Sequence, residues 1–387
     1  MKNAKVKVPI IRTLPSGKHQ LTRYGKTLVI CVSAIVLIAL LLAISINALI
    51  SYYYGLVNYV NVDEQSVLGD EEISKYLENM GDVDPSVTDS HNSDDIESDI
   101  KDQIGKLEKE QLEGVINIML IGMDSSGVGG DSSSYADAKN TDTVIIVSIN
   151  EKEKRIVLTS LMRDTGVQIQ KQNGEKVFNK LNTAYIYGGY KELFNTVERN
   201  FGIVTDRFVQ VNFSSFIDIV SIVGGVDIFV KEEEAIEMNN VMEGLNKVLG
   251  HGQNEDKLSD TSEGNKHLNG KQALAYARIR YVSGSDFGRT DRQRKLILAI
   301  AEKLGTLNIG QLNSLLTAIL PKVSTNLTQG ECTTLLSRAF EYLSYDMESM
   351  RIPSYGTYKD VVVSGRDLLW IDFFENYTSW TERVCGG

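Results

Sequence analysis

The stretch Thr27–Ile50, TLVICVSAIVLIALLLAISINALI, is almost purely apolar and carries no charged residue. A bilayer core is crossed by about 20 helical residues, so this run is long enough to span it. The preceding residues hold Lys2, Lys5, Lys7, Arg12, Lys18, Arg23 and Lys26 and no acid. A basic flank of this kind stays on the cytoplasmic side. Tyr52, Tyr53 and Tyr54 follow at once, as an aromatic belt at the outer interface would. A cleaved signal peptide is the competing reading. Its apolar region is usually shorter, with a small-x-small site after it. The sequence predicts a signal anchor at 27–50 with a basic cytoplasmic tail at 1–26. Everything after residue 51 is then extracellular, at the cell membrane, which excludes a cytoplasmic nucleic-acid role for the globular part.

The chain has 387 residues and a net charge of −11. Residues 51–93 are polar and acidic (DEQ, GDEE, GDVDPSVTDSHNSDD) and read as an extended, self-repelling spacer. Over 94–113, Ile96, Ile100, Ile104 and Leu107 recur at helical spacing and predict a connecting helix. It either packs on the domain or pairs with another chain, so a homo-oligomer stays open. The globular domain is read as 114–387. Strands are expected at 116–122, 141–149, 155–161, 207–213 and 226–230, and helices at 184–200, 216–223, 270–277, 290–305, 311–320 and 331–344. Residues 235–266 read as a polar surface excursion. This mixture predicts an α/β class: a central mixed sheet sandwiched by helices, α/β/α, preceded by one transmembrane helix. Cys332 and Cys385 are the external cysteines, bridged or free, and no Cys/His spacing suggests zinc.

An arginine cluster in an acidic chain calls for a reason. YARIRYVSGSDFGRTDRQR, residues 276–294, holds Arg278, Arg280, Arg289, Arg292 and Arg294. If 276–281 is extended, Arg278 and Arg280 share a face. From Arg289 the chain reads as a helix, with Arg289, Arg292 and Gln293 on one side. Guanidinium forks at a helix start suit a phosphate or pyrophosphate; the alternative is a solvated turn paired with Asp286 and Asp291. Charged residues also sit by three predicted strand ends: Asp124, Asp142 and the pair Arg163-Asp164. Two carboxylates without histidine suit a hard cation such as Mg²⁺, although aspartate is also an ordinary turn residue. Lys180 and Asn182, in FNKLNTAYIYGGY, are further candidates beside a packing role. Gly224-Gly225 reads as a tight turn. There is no phosphate-loop, G-x-S-x-G or H-E-x-x-H motif.

The ordered set TDTVIIVSIN, LTSLMRDT, NKLNTAYIYGG, VNFSSFIDIVSIVGGVDI, LNGKQALAYARIR and DFGRTDRQR resembles the LytR-CpsA-Psr family, from about Asn117 to Leu304. These are membrane-anchored enzymes of Gram-positive envelopes. The resemblance implies an α/β/α fold. It also implies transfer of a glycopolymer (teichoic acid or capsular polysaccharide) from a polyprenyl-pyrophosphate carrier to peptidoglycan through a phosphodiester. Asp124 and Asp142 then match the metal-binding aspartates. Arg163, Arg278, Arg280 and Arg289 match the pyrophosphate-binding arginines, with Gln293 beside them and Asp164 as their orienting partner or, alternatively, a base; Arg163, Asp164, Arg278 and Arg280 are the expected catalytic set. Lys180 and Asn182 would join the same substrate site. One departure is Asn140, where the family usually has an arginine; Lys139 is the substitute charge. A non-catalytic binder or regulator of envelope synthesis is the alternative that this departure favours. Phe213, Phe216, Ile217, Val220, Ile222 and Val223 are candidate lining for the lipid tail.

Overall fold

The computed structural model describes residues 11–13, 19–21, 47–65, 67–79, 93–107, 109, 111–123, 141–280, 282, 285–363 and 365–386. The chain divides into two compact units, Met1–Gly55 and Leu56–Gly387. In the first, Ile11–Thr13 pairs antiparallel with His19–Leu21, and residues 47–54 are helical. Most of the predicted span at 27–50 lies outside the described residues. Among the described residues no helix is long and apolar enough to cross a membrane.

The second unit is built on a mixed sheet. Its strands are β1 (Asn58–Tyr59), β2 (Val115–Met123), β3 (Thr141–Asn150), β4 (Arg155–Leu161), β7 (Phe208–Asn212), β10 (Ser324–Thr325) and β11 (Asp346–Ile352). Two antiparallel pairs lie outside it: β5 (Gly166–Gln170) with β6 (Lys176–Lys180), and β8 (Val226–Val230) with β9 (Gly264–Leu268). The order across the sheet is β11-β4-β3-β2-β7-β10-β1. β11 runs parallel to β4 and β7 parallel to β2, while β3 is antiparallel to both of its neighbours, β2 and β4. A β12–β13 hairpin, Tyr358–Val363 with Arg366–Ile371, completes the strands.

Side chains alternate along each strand, so the sheet has two apolar faces. On one, Met119, Ile121, Val144, Ile146, Val157 and Leu161 pack in a single core with α2 (Ser93–Ile104), α3 (Ala184–Phe201) and α8 (Phe373–Cys385). Ile96, Ile100, Ile104 and Leu107 are all buried there, so the connecting helix packs on its own domain. On the other face lie α4 (Phe213–Ile222), α6 (Gly270–Arg278) and α7 (Ser285–Leu304). The α/β/α expectation holds.

Two expectations are corrected. Residues 56–79, read as part of a free spacer, belong to the domain. β1 joins the sheet edge beside β10, and α1 (Asp70–Asn79) buries Ile73 in the core with Tyr76 and Leu77 against it. Gln65 fits a break in α3 at Gly188-Gly189, accepting from the Tyr190 N–H at 3.1 Å and donating to the Tyr185 hydroxyl at 2.8 Å. Gly189 has φ 66°, and a Cβ there would collide with the Gln65 amide. A few apolar groups in an acidic background were enough to dock the segment. Residues 80–92 lie outside the described residues.

The second correction concerns 235–266. Most of its first half is α5 (Glu232–Leu249), which buries Ala235, Met238, Met242 and Leu245 at helical spacing under a polar outer face; β9 follows. The predicted turn at Gly224-Gly225 is present, with φ of 84° and 86°. Cys332 and Cys385 are both free.

Candidate active site

Three chain ends meet at one edge of the sheet. β2 ends at Met123, β3 starts at Thr141 and β4 ends at Leu161. Gly122 pairs with Thr143 and Met123 with Thr141, so Asp142 is the extra residue of a β-bulge. Asp124 and Asn140, with Lys139, lie outside the described residues.

The Arg163-Asp164 turn is fixed from several sides. Met162 N–H donates to Ile352 O of β11 at 2.9 Å, and Leu369 N–H donates to Asp164 O at 2.9 Å. Asn182 N–H donates to Arg163 O at 3.1 Å. The Asp164 carboxylate takes Arg163 Nε at 3.3 Å on one oxygen and Lys180 Nζ at 3.4 Å on the other. Lys180 is buried, and Asp164 thus joins the Lys180 ammonium to the Arg163 guanidinium at this turn. Asn182 is also buried; its carbonyl accepts from Thr141 Oγ1 at 3.3 Å and ties the start of β3 to this turn.

The 276–281 segment is not extended through its length. Arg278 is the last residue of α6, whose start is fixed by a capping box between Asn269 and Gln272. Gly270 is needed there because a Cβ would run into the Ile217 carbonyl oxygen and Ser221 Oγ of α4. α7 begins at Ser285, so Arg289 lies one turn inside the helix rather than at its start. This brings Arg278, Arg289 and Gln293 together at the mouth of a cavity of about 320 Å³ over β2, β3 and β7. Apart from these three, Thr143 and Asn212, the lining is apolar. It includes Leu120, Ile145 and Val209 of the sheet and Leu296, Ile300 and Leu304 of α7. Arg289 and Gln293 also line a much smaller cavity of about 10 Å³ over β3 and β4, whose polar side, Thr143, Ser160, Arg163 and Thr290, faces Val144, Leu161 and Met162. Arg163, Arg278, Arg289 and Gln293 therefore converge where an apolar channel meets a polar pocket.

Arg280 and Arg292 are placed differently. Arg280 is exposed and lines neither cavity. Arg292 is buried; its Nη1 lies 3.3 Å from Glu234 Oε1 of α5, and its Nη2 donates to Ile279 O at 2.6 Å. It is a brace for the Arg278–Arg280 turn, not part of a clamp on the same face as Arg289. Burial, with the Glu234 charge next, raises the Tyr276 pKa, so this hydroxyl stays protonated beside the brace. Of the lining expected from 213–223, Phe216 reaches the channel, while Ile217, Val220 and Ile222 pack elsewhere. The α7 lining was missed, although Leu296, Ile297, Ile300 and Leu304 repeat at helical spacing.

A family model described as the LytR_cpsA_psr family matches residues 82–369. The chain is 31% identical over 239 residues to the polyisoprenyl-teichoic acid–peptidoglycan teichoic acid transferase TagU of Enterococcus faecalis, covering 60% of this chain and 67% of that protein. It is 30% identical over 217 residues to biofilm regulatory protein A of Streptococcus mutans, covering 54% of this chain and 50% of that protein. In structure it is similar to protein gbs0355 of Streptococcus agalactiae, with a TM-score of 0.56 and 25% identity over 70% of this chain and 88% of that one. It shares the fold of Bacillus subtilis TagT, with a TM-score of 0.53 and 24% identity over 72% of this chain and 95% of that one.

Proposed function

The chain belongs to the LytR_cpsA_psr family, and from that premise we propose that it transfers a glycopolymer from a polyprenyl-pyrophosphate carrier to peptidoglycan, leaving a phosphodiester. The observation that carries the reading is the junction of an apolar channel with an arginine-lined mouth. A lipid pyrophosphate has the same division: an apolar tail, then two adjacent anionic phosphates. Teichoic acid is the cargo suggested by the named relatives.

In the reaction the acceptor hydroxyl oxygen bonds to the phosphorus that carries the glycan. The bond from that phosphorus to the bridging oxygen breaks, and polyprenyl phosphate leaves, its new terminal oxygen taking up the proton that the hydroxyl gives up. Negative charge builds on the bridging oxygen and shifts among the equatorial ones. Arg289 and Arg278 meet those oxygens with planar forks from helices already fixed in place, so little reorganisation is needed. Arg163 approaches from the β4 side, oriented by Asp164, which is itself held by Lys180. The channel walls keep water from the lipid side. Asp142, at the bulge in β3, and Asp124, just past the end of β2 in the sequence, are the hard carboxylates that would hold Mg²⁺. When bound, that ion would neutralise phosphate charge and help set the reacting oxygens in line. The predicted anchor would hold this domain against the outer face of the membrane, where lipid-borne donor is delivered.

The test is a transfer assay with the full chain in detergent, Mg²⁺, a polyprenyl-pyrophosphate-linked polymer and peptidoglycan. Polymer becomes covalently attached and polyprenyl phosphate is released one for one. Donor binding without attachment would instead make the protein a binder.

A further inference from the structure

Two buried arginines take no part in the site as described. Arg351, on β11, is 6% exposed. Its guanidinium carbon lies over two rings, 4.3 Å from the Phe287 centroid and 3.9 Å from that of Tyr355. These ring contacts use the cation's charge and leave its N–H groups to find acceptors elsewhere. Among the described residues Nη2 has no acceptor, and no carboxylate pairs with Arg351. Arg294, on α7, is 5% exposed and pairs with Asp291 alone; its Nε and Nη1 have no acceptor. The two cations feel one another: burial lowers the Arg294 pKa, and the Arg351 charge adds to the lowering against Asp291. Buried guanidinium donors left without acceptors are costly, and a bound anion removes that cost.

Their position says which anion. Arg351 sits beside Ser160 in the β11–β4 register, and Ser160 lines the polar cavity with Arg163 and Arg289. Ser160 Oγ also lacks a partner among the described residues. Across the sheet, the apolar channel covers β7, β2 and β3, the polar cavity covers β3 and β4, and Arg351 lies on β11. With the lipid over the first group and the pyrophosphate over the second, the group that reaches β11 is the glycan.

We propose that Arg351 and Arg294, roofed by Tyr355, form a subsite for a phosphate-bearing sugar of the polymer being transferred. The proposal rests on the donor reading above. The sugar phosphate takes the free edges of the two guanidiniums, and the sugar ring lies on Tyr355. That side chain is 80% exposed, so it can swing out to admit the ligand at little cost. The subsite would make the enzyme selective for anionic polymers over neutral ones.

The experiment measures binding to the full-length chain in detergent of three probes: farnesyl pyrophosphate, its pyrophosphoryl-linked disaccharide, and the same disaccharide carrying a phosphate. The wild type should bind the phosphorylated probe about tenfold more tightly than the neutral one, the size of one charge-assisted pair. Arg351→Gln should abolish that preference and leave farnesyl pyrophosphate binding unchanged. Tyr355→Ala, at an exposed position that does not threaten folding, should weaken both sugar-bearing probes and spare the bare one. Absence of the preference in the wild type would overturn the subsite, as would its survival in a folded Arg351→Gln or undiminished binding of both sugar-bearing probes by Tyr355→Ala. Failure of the wild type to bind even farnesyl pyrophosphate would refute the donor reading, and the subsite with it.

Discussion

Glu234→Ala should be among the most damaging single changes that touch no substrate. Glu234 and Arg292 have side-chain exposures of 9% and 3%, so their pairing is not screened by solvent. Glu234 also accepts from the Lys231 N–H at 3.1 Å, closing the N-terminus of α5. Removing its carboxylate leaves the Arg292 charge buried with the Ile279 carbonyl as its remaining acceptor. Breaking a buried pair from one side costs about 3–5 kcal/mol. Loss of the helix cap adds about 1 kcal/mol. At about 2–4 °C per kcal/mol for a domain somewhat smaller than this one, the melting temperature should fall by roughly 10 °C. Scanning fluorimetry of the full chain in detergent reads this directly. Ile279 lies between Arg278 and Arg280, so farnesyl pyrophosphate affinity should also drop, measured well below the new melting temperature. The double variant Glu234→Leu with Arg292→Met should recover most of the stability, because a buried pair replaced by apolar groups is often neutral. A fall of under about 2 °C in Glu234→Ala would refute the reasoning, since that is less than 1 kcal/mol. So would a double variant as unstable as the single one.

Arg289→Gln keeps hydrogen-bonding groups but removes a 5% exposed charge at the channel mouth; transfer should fall by about 2–5 kcal/mol in kcat/KM, roughly 30-fold or more, with the fold intact by circular dichroism. Ala301→Trp, filling the apolar channel, should weaken binding of long-chain polyprenyl pyrophosphate far more than that of inorganic pyrophosphate; equal losses would remove the lipid from the channel. Gly270→Ala should destabilise by about 1–3 kcal/mol, read by urea titration, because its methyl meets the Ile217 carbonyl across the α4–α6 contact. Chelation with EDTA should stop transfer and added Mg²⁺ should restore it, and Asp142→Asn should raise the Mg²⁺ concentration needed.

Much of this was legible along the chain because it is periodic. The short continuous apolar runs within 116–122 and 141–149 and the helical repeat at Ile96, Ile100 and Ile104 carry their burial in their pattern. The arginines were legible as an exception in an acidic chain, and the ordered motifs pointed to the family. Other features left no local trace. Gln65 is one polar residue in a polar stretch, and nothing nearby says that it fills a break in α3. The narrow apolar stripe of α5 was hidden by the acids around it.

The sequence by itself determined the kind of fold, the family and a pool of candidate cations, because those depend on residue type and on spacing within a segment. The tertiary structure decided what each cation does. Arg289, Arg292 and Arg294 stand within two turns of one helix. Yet Arg289 opens onto the channel, Arg292 is held by Glu234 of α5, and Arg294 lies near Arg351 of β11. Charge interactions fall with distance and strengthen with burial. Both quantities are set by which distant segment packs against each side of the helix, and spacing along the chain does not contain them.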